Sequence, residues 1–156
     1  MNAEDVLTLA RAKGVMIAAA ESCTGGGLMA ALTAIPGSSD VVDRGFVTYS
    51  NEAKIEMLGV SPETIAAHGA VSEETAAEMA KGALRNSRAH LTVSITGIAG
   101  PGGSDHKPEG MVCFGVSSAE GTTTLTRQFG PVGRDNVRKA SVEEALTQLH
   151  KALSSS

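Results

Sequence analysis

The chain has no tryptophan, one tyrosine and three phenylalanines among 156 residues. An aromatic core is therefore excluded, and Ala, Val, Ile, Leu and Met must fill the interior. Only two cysteines occur, Cys23 and Cys113, in apolar strand-like surroundings. That number cannot make a disulfide framework, and their spacing is not that of a zinc site. Four scattered histidines (His68, His90, His106, His150) form no HExxH or similar ligand pattern. No metal and no cofactor are expected. Apolar runs stay well short of 18 residues and no signal peptide opens the chain, so neither a membrane span nor export is expected. A reduced, cytoplasmic protein is the default. Positive charge is also scarce. The net charge of −4 leaves no phosphate-tracking surface, so nucleic acid is not an expected partner.

The composition that remains is 42% hydrophobic and 19% charged, that of a folded globular chain. Its length suits one domain spanning residues 1–156. Ala3, Val6, Leu7 and Ala10 make a helical stripe that Gly14 ends. Strands are predicted at 15–20, 45–49 and 91–96. Two more, 111–117 and 122–129, form a hairpin about Gly121. Helices are predicted from about 25 to 33, at 51–58, from Pro62 to His68, from 72 to about 87, and over 134–153. The last three serines read as a frayed tail. This order predicts a three-layer α/β/α sandwich with a mixed, mostly parallel five-stranded sheet.

The richest stretch is Ile17–Gly27, where an apolar run breaks into Glu21-Ser22-Cys23-Thr24 and three glycines. It reads as strand, tight turn and helix start, and a helix start favours an anion. Thr24, Gly25 and Gly26 are accordingly candidate substrate-binding residues. Ligands of open α/β sheets sit at the carboxyl ends of strands. Three segments follow such ends: Glu21–Gly27, Tyr49–Lys54 and Thr96–Gly103. They offer the hydroxyls of Ser22, Thr24, Tyr49 and Thr96, the Asn51 amide, Lys54 and many glycine N–H groups. Histidine is missing from them, which excludes a Ser-His-Asp triad there. A desolvated lysine can replace histidine as a base, and glycine N–H groups can hold an oxyanion. The long loop 97–110 is of a length that usually serves function.

Six ordered blocks carry a more specific signal: AESCTGG (20–26), PGSS (36–39), GFVTYSNEAK (45–54), LGV (58–60), HGAVSEETA (68–76) and SITGIAGPGG (94–103). Together they resemble the CinA C-terminal domain family, over residues 5 to 150. The resemblance implies a stand-alone amidohydrolase that converts nicotinamide mononucleotide to nicotinic acid mononucleotide and ammonia. It implies a serine–lysine dyad without metal, and a small pyridine nucleotide as the partner. A homodimer or larger homo-oligomer is left open, and no membrane contact is expected.

Lys54 is then the general base. For the nucleophile, Ser39 in the PGSS turn is preferred and Ser22 is the competitor; Cys23 is a third choice. Tyr49 and Thr96 would orient the dyad or polarise the amide. Arg134, awkwardly cationic at a helix start, and the loop glycines Gly97, Gly100 and Gly102 would take the substrate phosphate. The plainer readings are that Ser39, Ser22 and Thr24 cap helices, Lys54 is solvated and Tyr49 packs. The alternative function is a non-catalytic mononucleotide-binding or regulatory module of the competence-damage-inducible type.

Overall fold

A computed structural model describes residues 2–104 and 106–155. Met1, Asp105 in the long loop and Ser156 of the expected tail lie outside them. The elements run α1 (Ala3–Lys13), β1 (Ile17–Glu21), α2 (Gly27–Thr33), a 3₁₀ turn (Ser38–Asp40), β2 (Val42–Val47), α3 (Asn51–Leu58) and α4 (Pro62–His68). They continue with α5 (Glu73–Arg85), β3 (Leu91–Gly97), β4 (Met111–Ser118), β5 (Gly121–Gln128) and α6 (Arg134–Ser154). The strands form one sheet in the order β2-β1-β3-β4-β5.

Helices α1, α2 and α6 pack together on one face of the sheet, and α3, α4 and α5 on the other. The first face holds the larger aliphatic core, with Ile17, Ala19, Val93, Ile95 and Phe114 against Val6, Leu7, Leu146 and Leu149. The expected sandwich is present, but the sheet is mixed rather than mostly parallel. β1 pairs in parallel with β2 and β3, whereas β3–β4 and β4–β5 are antiparallel. The connection from β3 to β4 contains no crossover helix, and a parallel pairing needs one. The second strand also starts three residues earlier than expected. Asp43 and Arg44 disguise it, and charge is tolerated there because β2 is a sheet edge.

On its second face the sheet carries hydroxyls where an apolar row would be usual. The Thr92 hydroxyl donates to the Ala80 carbonyl at 2.7 Å and that of Ser94 to the Ala76 carbonyl at 2.6 Å. These bonds let α5 lie close to the strands through its small residues Ala76, Ala80 and Ala83, all fully buried. Gly82 serves the opposite contact, since a Cβ there would strike the Leu58 carbonyl at the end of α3. Register then sets the site. Glu21 lies opposite both Val47 and Ile95, and one step further Thr48 N–H bonds the Glu21 carbonyl while Ser22 N–H bonds that of Ile95. Thr48, Ser22 and Thr96 therefore stand abreast at the carboxyl ends of three parallel strands.

Gly82→Val would separate α5 from α3 and should lower unfolding free energy by about 1–3 kcal/mol, the usual cost of overpacking. Urea denaturation measures it; an unchanged midpoint would mean the close approach bears no load.

Candidate active site

The turn after β1 is closed by the chain's own carboxylate. Glu21 is fully buried. Its Oε1 accepts from the Thr24 hydroxyl at 2.5 Å and the Leu28 N–H at 2.9 Å, and its Oε2 accepts from the Met29 N–H at 3.0 Å. Glu21 thus fills the start of α2, the place the sequence offered to a substrate anion. Arg138 of α6 holds the same turn from outside by donating to the Thr24 carbonyl at 3.2 Å. Thr24, Gly25 and Gly26 are not among the residues lining the cleft beside this turn. Seven residues separate Glu21 from Leu28, so no short motif betrayed the cap.

Ser22 emerges from this clamped turn. Facing it is Lys54, the fourth residue of α3. The helix begins where it does because the Ser50 hydroxyl caps it, accepting from the Ala53 N–H at 3.0 Å. Lys54 is only 2% exposed. Its Nζ donates to Ser22 Oγ at 3.1 Å and to the Thr48 carbonyl at 3.0 Å. No carboxylate forms an ion pair with it among the described residues. Burial without a counter-charge holds the amine below the ordinary lysine value.

The two residues open onto a cleft of about 330 Å³. Its walls come from the three strand ends, with Cys23, Tyr49, Asn51, Thr96 and the loop 97–104, together with Ala70, Val71 and Arg134. Gly97, Gly100 and Gly102 all lie on this surface. The Thr96 hydroxyl donates to the Ala70 carbonyl at 2.7 Å, which ties β3 to the α4–α5 connection. Tyr49 does not bond the dyad. Its hydroxyl accepts from Arg134 Nη2 at 2.9 Å, while Arg134 Nη1 donates to the Gly100 carbonyl at 2.7 Å. One guanidinium thus bridges two walls of the cleft. Cys23 touches the cleft, but burial pushes its thiol up to about 11, so it is not a ready thiolate. Among the described residues no three His, Cys, Asp or Glu side chains gather as a metal site.

Ser39 is elsewhere. It is exposed in the 3₁₀ turn ahead of β2. Val42 at the start of that strand pairs with Ile17 at the start of β1. Lys54 sits past the strand's other end, so six residues of strand, roughly 20 Å, intervene. The preferred nucleophile of the sequence reading is therefore not brought to the lysine, and its competitor Ser22 is. The PGSS turn has a structural role instead: Arg11 Nη2 donates to the Gly37 carbonyl at 2.9 Å.

The family model of the CinA C-terminal domain matches residues 1–153. The chain belongs to the CinA C-terminal domain family. The nicotinamide-nucleotide amidohydrolase PncC of Escherichia coli K12 is 50% identical over 147 residues, covering 94% of this chain and 89% of that protein. A CinA-like protein of Chloroherpeton thalassium is 58% identical over 117 residues, which is 74% of this chain but 28% of its own length. The chain thus spans under a third of that longer relative. Among solved structures, the competence/damage inducible protein CihA of Agrobacterium tumefaciens superposes with a TM-score of 0.89 at 49% identity, covering 96% of both chains. A competence or damage-inducible protein of Enterobacter asburiae gives 0.93 at 36% identity over 97% of this chain and 95% of its own.

The CinA-family site predicts its own effect on stability. A lysine whose folded pKa lies below its unfolded value of about 10.4 binds fewer protons folded than unfolded in the window between the two. Stability therefore rises with pH across that window. Thermal melts should show the wild type gaining on Lys54→Met as pH is raised towards 10. A difference between the two that stays constant with pH would count against a depressed lysine.

Proposed function

We propose that this chain is an amidohydrolase that converts nicotinamide mononucleotide to nicotinic acid mononucleotide and ammonia, with Ser22 as nucleophile and Lys54 as general base. The observation that carries the reading is the buried Lys54 amine 3.1 Å from Ser22 Oγ at a cleft floor. Its support from kinship is the PncC relative that matches 94% of the chain.

Neutral Lys54 has a lone pair for the Ser22 proton, and the Thr48 carbonyl fixes the amine by one of its N–H bonds. Ser22 Oγ attacks the carboxamide carbon, and the negative charge moves to the carboxamide oxygen. Backbone N–H groups, beginning with that of Cys23 directly after the nucleophile, receive that oxyanion. Protonated Lys54 then gives its proton to the departing nitrogen, which leaves as ammonia. Water attacks the resulting ester with Lys54 again as base, releasing the carboxylate and restoring Ser22. Thr96 uses its single proton on Ala70, so its lone pairs remain as acceptors for the carboxamide NH₂. Asn51 at the start of α3 adds a side-chain amide donor on the cleft wall. Arg134 and the amide of Gly100 take the phosphate, with Tyr49 as the support for the guanidinium. The two cysteines are free, which fits a reducing, cytoplasmic setting.

Ammonia release from the mononucleotide tests the scheme. Ser22→Ala and Lys54→Ala should each lower kcat/KM by at least about three orders of magnitude, as removal of a nucleophile or its base does elsewhere. Ser39→Ala should stay within about twofold of wild type, as exposed substitutions usually do. Tight binding without turnover by the wild type would favour the non-catalytic mononucleotide-binding module instead.

The pH profile gives a second check. The base must be neutral, so kcat/KM should climb with pH and level off above the Lys54 pKa, at a midpoint below the ordinary lysine value of about 10.4. A limb that survives Lys54→Ala would assign the base to another group.

A further inference from the structure

The loop between β3 and β4 ends in a carboxylate that this chemistry does not use. Glu109 is half-buried and is not among the cleft-lining residues. Its Oε1 accepts from the Gly102 N–H at 2.7 Å, and its Oε2 accepts from the Gly133 N–H at 3.3 Å. These amides belong to two separate parts of the molecule. Gly102 is on the glycine wall of the cleft. Gly133 is the N-cap of α6, directly before Arg134. Gly100 completes the seat: its φ of +90° suits glycine, and a Cβ there would stand 2.5 Å from the Glu109 carboxyl carbon. The Gly100 carbonyl in turn accepts from Arg134 at 2.7 Å. The contacts therefore close a circuit through Gly102, Glu109, Gly133, Arg134 and Gly100. A carboxylate beside the first amides of a 21-residue helix is also favourably placed against its dipole, and bonds from N–H groups to an ionised acceptor are the strong kind.

We propose that Glu109 is a positioning residue that fixes the spacing between the Gly100–Gly103 wall and the Arg134 guanidinium, so that both grip the same anionic group of the substrate. Glu109 never touches that group. Both of its oxygens are turned to backbone amides, and its negative charge is spent on them rather than on the cleft. The inference rests on the amidohydrolase reading for the identity of the anion, a nucleotide phosphate. The clamp itself rests on the geometry alone.

The test compares wild type, Glu109→Ala and Glu109→Gln by steady-state kinetics with nicotinamide mononucleotide, by thermal melts, and by NMR hydrogen exchange at the Gly102 and Gly133 amides. Loss of uniform substrate binding raises KM with little effect on kcat. Glu109→Ala should raise KM about tenfold with kcat within about threefold, and both glycine amides should exchange faster. Glu109→Gln keeps one acceptor oxygen and should fall between the two, with all three melting temperatures within about 3 °C. An unchanged KM in active Glu109→Ala overturns the proposal, as does a joint loss of kcat and melting temperature that the glutamine variant fails to rescue. If the wild type releases no ammonia, the amidohydrolase reading fails by itself. Glu109 is then judged by exchange: faster exchange at both glycines upholds the clamp, and unchanged exchange removes it.

Discussion

Lysine burial is the constraint around which this site is arranged. An amine that is 2% exposed and has no paired carboxylate among the described residues is unfavourable in its charged form. The fold offers it a hydroxyl and a carbonyl instead, both of which a neutral amine can use. Placing Glu or Asp beside Lys54 would have stabilised the ammonium and removed its lone pair from service. The acid nearest in sequence to Ser22 is Glu21, and it is turned away, with two hydrogen bonds from the start of α2 and one from the Thr24 hydroxyl. The same carboxylate that makes the turn rigid is thereby kept from the amine.

Strand register supplies the second half of the arrangement. Parallel pairing on both sides of β1 brings three chain segments to one edge with their hydroxyl residues abreast. Ser22 directly follows β1, the middle one of the three parallel strands, so its turn is bounded by β2 and β3. The cap at Ser50 starts α3 at Asn51, and this sets Lys54 over the strand ends. Misplacing that cap by one residue would rotate the lysine by about 100° around the helix, off the cleft.

Much of this was legible because local chemistry was clear. Gly14 ends α1, Pro62 opens α4, and α3 spans the 51–58 range read from the sequence. The edge strand was misjudged because Asp43 and Arg44 hide a period that only pairing reveals. The even mix of the sheet was within reach of the sequence, since the glycine- and proline-rich 97–110 segment offers no crossover helix to join parallel neighbours. Ser39 was preferred to Ser22 by proximity along the chain: PGSS directly precedes the strand that ends near Lys54. A strand carries its two ends far apart, so nearness in sequence became distance in space. Ser22, 32 residues from Lys54 in the chain, is the one in contact. Glu21, Glu109 and the Thr48 carbonyl escaped notice for a related reason. Each acts through backbone atoms, and no spacing rule records which N–H a carboxylate will find.

The glycine turn after β1 shows how one local signal can support two different functions. Free N–H groups at a helix start attract an anion, whichever molecule supplies it. In this chain the carboxylate of Glu21 occupies that place, and the turn becomes a mount for Ser22. On the opposite wall the Gly100–Gly103 segment and Arg134 face the cleft, and in the proposed reaction that wall takes the phosphate. The Gly100–Gly103 segment of that wall is loop and is held from behind. Its amide at Gly102 and the cap amide at Gly133 converge on one carboxylate. Both walls therefore follow the same physical logic: an internal carboxylate satisfies backbone donors on the side away from substrate. The groups that face the cleft are left free to meet the charge and the bond the reaction presents.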